Sequence, residues 1–450
     1  MSPNAVRTGR SATRVAIVVT LLLVAGWVVI NRDDAGLPRV DLDSGWTWQP
    51  QEGQLELGIT HTQESLNSGS APAATDRARS VLVDAGHSWQ NQHLMGFGAL
   101  NPEPSPGVYD WASLDARMTL IRDTGGSTVL TACCAPDWMK GGSAGATDWS
   151  RLETAPDPAY FDRFAALTAA AVARYPQIRA VMVWNELKGF FHPELNRWDY
   201  EGYTDLYNAV YRAVKAVRPD VLVGGPYAPV TSVVPGSHFA STGLMGAWGA
   251  ADQRVLDVID YWLRHAVGAD FVVVDGPTSI GGIGSGQPPA TVDAGTSKYA
   301  AVTTWVRQRT TLPVWWAEFY PDVPAGARGG ADSPASAAAT LSAIAEFAGS
   351  GAAVALLWGP EGSSLAYSAL WTSTAEDPDG GRPTPLTSAW DWLVPKLAAG
   401  HLEIGRSDTT PLLAFRDPDG AVVVNPTGAD VPLPGTGRPF PAWAASIEAT

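Results

Sequence analysis

The chain has 450 residues, 45% of them apolar and 17% charged, which supplies a large core and excludes a disordered protein. Its formal charge of −15, from 30 basic and 45 acidic residues, has the wrong sign for a surface that tracks phosphates and excludes nucleic acid as a partner. Two adjacent cysteines, Cys133 and Cys134, exclude a disulfide framework and structural zinc.

Residues 1–14 form a basic segment with Arg7, Arg10 and Arg14 and no acid. Val15 to Ile30 then runs apolar, broken only by Thr20 and Gly26. It is short for a membrane span, but flanking arginine reaches the interface, and positive charge ahead of it keeps the N-terminus inside. An uncleaved transmembrane anchor and a cleaved signal peptide both fit; no small-x-small site follows, which favours the anchor. Either way the remainder is expected outside the cytoplasm, held at the cell membrane or secreted. Residues 31–52 read as a tether that also offers a strand to a β appendage.

From residue 53 to 400, apolar runs alternate with helical patterns. Strands are expected at Leu55–Thr60, His87–His93, Thr128–Cys134, Ala180–Asn185, Val221–Gly225, Phe271–Asp275, Val314–Glu318 and Ala353–Trp358. Helices are expected at Pro72–Ala85, Trp111–Asp123, Pro158–Arg174, Tyr203–Val217, Gln253–His265, Thr296–Arg309, Pro334–Ala348 and Leu386–Leu397. Runs such as Val272-Val-Val are apolar on both faces, as parallel strands covered by helices must be. The fold class is therefore α/β: a (β/α)8 TIM barrel, with a small C-terminal β appendage over 401–450 and the N-terminal transmembrane segment. An open doubly wound sheet is the rival, weakened because no Gly-rich dinucleotide turn follows the first strand. In the appendage, Pro411–Phe415 and Ala421–Val424 flank an Asp-Gly turn and read as a hairpin.

A barrel carries its chemistry at the carboxyl ends of its strands. The fourth run ends Val183-Trp184-Asn185-Glu186 and the seventh ends Trp315-Trp316-Ala317-Glu318-Phe319. A carboxylate closing a buried apolar strand is costly without a partner or a task. Glu186 could instead cap a helix and Glu318 could pair with a buried Arg. Nineteen tryptophans add flat apolar rings suited to stacking on sugar faces. Gly141-Gly-Ser143-Ala-Gly145 matches a nucleophile-elbow pattern but has no strand ending at its serine.

Asn185-Glu186 after strand four and Glu318 after strand seven resemble the signature of clan A retaining glycoside hydrolases. Cys134-Ala-Pro-Asp-Trp-Met-Lys140 and Gly224-Gly225-Pro226 are most similar to family 39, which includes β-xylosidases and α-iduronidases. The resemblance implies that Glu318 is the nucleophile, that Glu186 is first general acid and then general base, and that Asn185 holds the sugar 2-hydroxyl. It implies that the charge of Glu318 raises the pKa of Glu186. It places Trp358 as a platform under the sugar, against plain barrel packing; His61, Trp138, Lys140 and Tyr227 are further candidates by their position after strands, against packing at the barrel rim. Family members usually carry Arg or His on strand two, where only His93 or Asn91 fits here, and His and Tyr on strand six, where Asp275 stands. Asp275 is free to bind a sugar hydroxyl or a basic group, and β-xylosidase specificity is not implied.

Two carboxylates suffice for this chemistry, so no metal or organic cofactor is expected. The expected partners are a carbohydrate substrate and, through residues 15–30, a membrane. A glycan-binding barrel without turnover and a transglycosylase using the same glutamates are the rival functions. Consecutive strand residues point to opposite faces, so Cys133 and Cys134 are expected as two free thiols rather than a vicinal disulfide.

Overall fold

The computed structural model describes residues 37, 40–66, 71–86, 88–281, 286–327, 329–363, 367–375 and 377–449, and all features below belong to the compact unit Pro38–Thr450. The segment expected to anchor the chain, residues 15–30, lies outside the described residues. Among the described residues no helix is long and apolar enough to cross a membrane.

Eight parallel strands close into a barrel in chain order. They are β1 (Glu56–Thr60), β2 (Trp89–His93), β3 (Ser127–Ala132), β4 (Ile178–Val183), β5 (Leu222–Pro229), β6 (Phe271–Pro277), β7 (Val314–Tyr320) and β8 (Val354–Trp358). A helix follows each: α1 (Pro72–Asp84), α2 (Ala112–Asp123), α3 (Phe161–Arg174), α4 (Tyr200–Val217), α5 (Gln253–His265), α6 (Val292–Arg307), α7 (Pro334–Ser350) and α8 (Thr387–Ala399). Strand alternation divides the apolar residues into two cores. Val272 and Val274 face the helices, whereas Phe271 and Val273 face inward. Phe271 stacks on Trp315 at 4.0 Å and Trp89 lies 5.1 Å from Trp315, so aromatic rings fill the amino end of the barrel. Gly224 leaves the room they need, because a Cβ there would stand 2.3 Å from Phe271.

A polar layer comes next toward the carboxyl end. Asn91 takes a hydrogen bond from Thr131 (2.9 Å) and donates to Thr60 (3.1 Å), whose hydroxyl donates to the Ala317 carbonyl (2.7 Å). These bonds hold Asn91 in the barrel frame. The Ala317 carbonyl sits at a bulge. Val274 pairs with Trp316 but Asp275 pairs with Glu318, so Ala317 is the extra residue. A second bulge skips Tyr227, with Val273 opposite Pro226 and Val274 opposite Ala228. Bulges re-aim side chains at barrel rims, and both occur where the site is built.

A five-stranded antiparallel sheet lies beside the barrel, in the order Trp46–Pro50, Glu403–Ser407, Leu413–Asp417, Gly420–Val424, Ala445–Ala449. Helix α7 touches both this sheet and α6, and its run of alanines keeps it thin enough to be buried on both sides. The cysteines depart from expectation: Cys133 and Cys134 form a disulfide, and both are buried. Strand β3 ends at Ala132, so the alternation that separates neighbouring side chains has already stopped when the pair is reached.

Candidate active site

Glu186 and Glu318 meet in one buried site, and Asp275 joins them. The exposures of the three side-chain residues are 5%, 3% and 0%. One carboxylate oxygen from each lies within 4.8 Å of the other two. Glu318 closes the inward row of β7, and the bulge sets Asp275 of β6 beside it. Glu186 stands one turn beyond β4, on backbone that the sequence pattern does not announce. Trp184, Glu186 and Leu187 all have positive φ (69°, 47° and 56°), a region bulky residues avoid unless their surroundings force it. Trp184 supplies that force. It is fully buried against Phe164 and Phe190, and its indole N–H donates to the Lys188 carbonyl at 2.8 Å.

The loop so pinned delivers Lys188 to the site. Its ammonium lies 2.5 Å from Glu186 Oε2 and 3.0 Å from Glu153 Oε1. Glu153 also accepts from Asn185 Nδ2 at 2.6 Å. Tyr320 Oη bridges two acids, 3.3 Å from Glu186 Oε1 and 3.2 Å from Asp275 Oδ2. The re-aimed Tyr227 donates to Glu318 Oε1 at 2.6 Å. Tyr320 is two residues from Glu318 on one strand, so the period of two could have found it; Lys188 and Glu153 sit in loops and carry no such signal.

These neighbours reverse the expected electrostatics. Burial pushes Glu186 up, but the Lys188 ammonium and hydrogen bonds from Asp275 and Tyr320 outweigh it, and the carboxyl lies below its ordinary value. Glu318 is the raised member, through burial and then the charge of Glu186, against the hydrogen bond from Tyr227. Burial, then the same Glu186 charge, raises Asp275 well above the usual carboxylate range. The expectation that Glu318 raises Glu186 fails because Lys188 contacts Glu186 directly.

The remaining sequence candidates divide. His93 is fully buried, its ring lies 3.9 Å from that of Phe97, and among the described residues neither ring nitrogen has a partner at full hydrogen-bond distance. Burial holds its pKa near 3, so it is a neutral imidazole, and its interactions are with Asn185, Lys188 and Glu186. Trp358, at the end of β8, packs edge-on against Phe97 at 5.8 Å and so joins the same wall. Asn185 Oδ1 and Asp275 Oδ1 are also buried and unpartnered. His61 is fully buried, with its ring nitrogens 3.3 Å from Ser65 and 3.1 Å from Gln90. Trp138 donates to the Glu103 carbonyl (2.9 Å) and packs on Tyr160, and Lys140 donates to the carbonyls of Arg151 and Leu152. In the loop after β4, Phe190 is core and Phe191 is exposed against Trp198.

A cavity of about 920 Å³ opens beside the site, lined by Phe97, Trp149, Glu153, Thr154, Lys188 and Gly189 among others. Its wall includes Lys188 but none of the three carboxylates. The acidic trio is the one group of His, Cys, Asp or Glu among the described residues compact enough to surround an ion. Its oxygens already meet the Lys188 ammonium and the hydroxyls of Tyr320 and Tyr227, so the chain itself supplies the cation and the protons that balance its charge.

No protein-family profile and no curated protein sequence matches the chain. Its fold is similar to those of solved barrels. A monomeric β-xylosidase from Caulobacter crescentus CB15 aligns at a TM-score of 0.52 and 17% identity, covering 83% of this chain and 75% of that one. The GH39 enzyme from Xanthomonas axonopodis pv. citri aligns at 0.52 and 19%, covering 86% and 75%. A conserved exported protein from Bacteroides fragilis aligns at 0.60 and 12%, covering 91% and 99%. The likeness to clan A read from Asn185-Glu186 and Glu318, and to family 39 read from Cys134–Lys140 and Gly224-Gly225-Pro226, thus holds at the level of the fold.

Proposed function

We propose that the chain is a retaining glycoside hydrolase that cleaves O-glycosidic bonds of an oligo- or polysaccharide. The observation that carries this reading is the convergence of Glu186 and Glu318 from the ends of β4 and β7, with carboxylate oxygens within 4.8 Å. Retaining enzymes hold their carboxyls about 5–5.5 Å apart, whereas inverting enzymes need about 6.5–9.5 Å to admit a water. Glu318 attacks the anomeric carbon and forms a glycosyl ester. Glu186 protonates the leaving oxygen and then takes a proton from the attacking water. Among the described residues no group stands at full hydrogen-bond distance from either nitrogen of His93 or from Asn185 Oδ1, which favours a ligand rich in hydroxyls. Trp358 and Phe97 form the apolar wall against which a sugar face stacks. The cavity beside Lys188 receives the leaving part of the glycan.

The same reading puts the enzyme outside the cytoplasm, anchored through residues 15–30. A buried disulfide suits an oxidising compartment, and the neighbour from Bacteroides fragilis is described as exported. The test is a screen of aryl glycosides and polysaccharides with the full chain beside Glu318→Gln. Turnover by the parent, none by the variant, and labelling of Glu318 by a fluorinated mechanism-based sugar are expected. Glycan binding with equal, absent turnover in both chains would mean a binding protein instead.

A further inference from the structure

The acid step leaves one question that the geometry answers. Lys188 holds Glu186 as a carboxylate, yet an acid must give a proton. Beside Glu186 is a second carboxyl, Asp275, fully buried and linked to it through the hydroxyl of Tyr320. Among the described residues no group donates a hydrogen bond to Asp275 Oδ1. An ionised oxygen left bare in a dry interior is costly, whereas a protonated one needs only an acceptor, and the Glu186 carboxylate, with an oxygen within 4.8 Å, is the neighbour that can be one.

Resting on the glycosidase reading, we propose that Asp275 is a positioning residue that stores the catalytic proton and passes it through Glu186. In the first step the Asp275 O–H proton moves to Glu186 while Glu186 protonates the glycosidic oxygen. The C–O bond breaks, and Glu318 forms the ester. In the second step Glu186 takes a proton from water and returns it to Asp275, the hydroxide bonds to the anomeric carbon, and Glu318 leaves as a carboxylate. Protons and charges balance over the cycle.

The groups around Asp275 suit this task. Glu186 and Lys188 face it from the loop after β4, Tyr227 from β5, and Glu318 and Tyr320 from β7. Behind it on α6 stand Tyr299 and Lys298. The Lys298 ammonium donates to the Pro277 carbonyl at 2.6 Å, and burial lowers its pKa to about 7, so it is a weak counterion. Burial and the Glu186 charge keep the proton on Asp275.

The test is Asp275→Asn on aryl glycosides whose leaving groups span good to poor. An amide cannot release a proton, and Lys188 keeps Glu186 ionised. Poor leaving groups should lose on the order of 10²-fold in kcat/KM, as when general acid catalysis is lost, while dinitrophenyl glycosides stay within a few-fold. The alkaline limb of kcat/KM should move acidward by about one unit or more. Equal losses for all leaving groups with unmoved limbs would overturn the proposal. If that variant does not fold, Tyr320→Phe removes only the bridging hydroxyl, and the same tilt toward good leaving groups is expected; a flat response overturns the proposal. A parent chain that turns over no glycoside defeats the glycosidase reading as well, so the two failures are distinct.

Discussion

Lys188 offers the most direct handle on the electrostatics of the site, through Lys188→Met, which keeps the apolar stem and removes the charge. The ammonium lies 2.5 Å from Glu186, whose side chain is 6% exposed, while the Lys188 side chain is 43% exposed. Removing an opposite charge at contact raises a buried carboxyl by about 1–3 units. Solvent around the lysine screens the pair, so about one unit, or about 1.4 kcal/mol, is the expected size. The sign follows from linkage. Glu186 lies below its ordinary value in the folded chain, so its contribution is present above the unfolded carboxyl range and lost as pH falls through the folded value. The variant should therefore be less stable near neutrality, and the deficit should close in acid where Glu186 is protonated. Urea unfolding at about pH 7 and about pH 3.5 measures both, and the alkaline limb of kcat/KM should rise by about one unit. A deficit that is equal or larger in acid, or an unmoved limb, would refute the view that Lys188 acts through Glu186.

Tyr227→Phe removes the 2.6 Å bond to Glu318, a bond to a charged group worth about 1.5–3 kcal/mol, so the acidic limb of kcat/KM should move to higher pH by about one unit; a fixed limb would assign the tyrosine to packing alone. Glu318 is raised by burial and by the Glu186 charge, so keeping it ionised costs stability above the unfolded carboxyl range, and Glu318→Gln should melt higher than the parent near pH 8 and equally near pH 4. A lower melting temperature at alkaline pH would contradict that sign. Gly224→Ala drives a methyl to 2.3 Å from Phe271 and should cost about 1–3 kcal/mol in denaturant unfolding, and a neutral result would show that the aromatic plug yields easily. Thiol titration of the denatured, unreduced chain should find no free thiol, and two reactive thiols would restore the strand-alternation argument for Cys133 and Cys134.

The barrel was legible because short apolar runs, some apolar on both faces, recur along the chain and each is followed by a helical period, as with Val272-Val-Val ahead of the Val292–Arg307 helix; the polar β2, Trp89–His93, is the exception. The two glutamates were legible for a related reason: an acid that ends an apolar run must have a partner or a task, and Glu186 and Glu318 were the clearest such acids. What the pattern could not show is how the rim is aimed. Alternation assumes an unbroken pleat, and three events at the carboxyl ends break it. Tyr227 is bulged out of register, Ala317 is bulged beside it, and the chain after Val183 enters left-handed backbone at Trp184, Glu186 and Leu187. Each event changes which side chain meets which. The first turns a rim tyrosine onto Glu318, the second levels Asp275 with Glu318, and the third swings Lys188 onto Glu186.

The same breaks explain why the expected charge logic failed. Sequence reasoning let Glu318 raise Glu186, because it placed no cation against Glu186. With Lys188 and Asp275 present, Glu186 has both an opposite charge and a proton-bearing neighbour, while Glu318 keeps only a tyrosine. A carboxyl that faces an ammonium loses its proton first, and one that faces a phenol and another acid loses it at higher pH. The protonation order of the site is therefore set by two loops and two bulges, not by the strand pattern that makes the barrel.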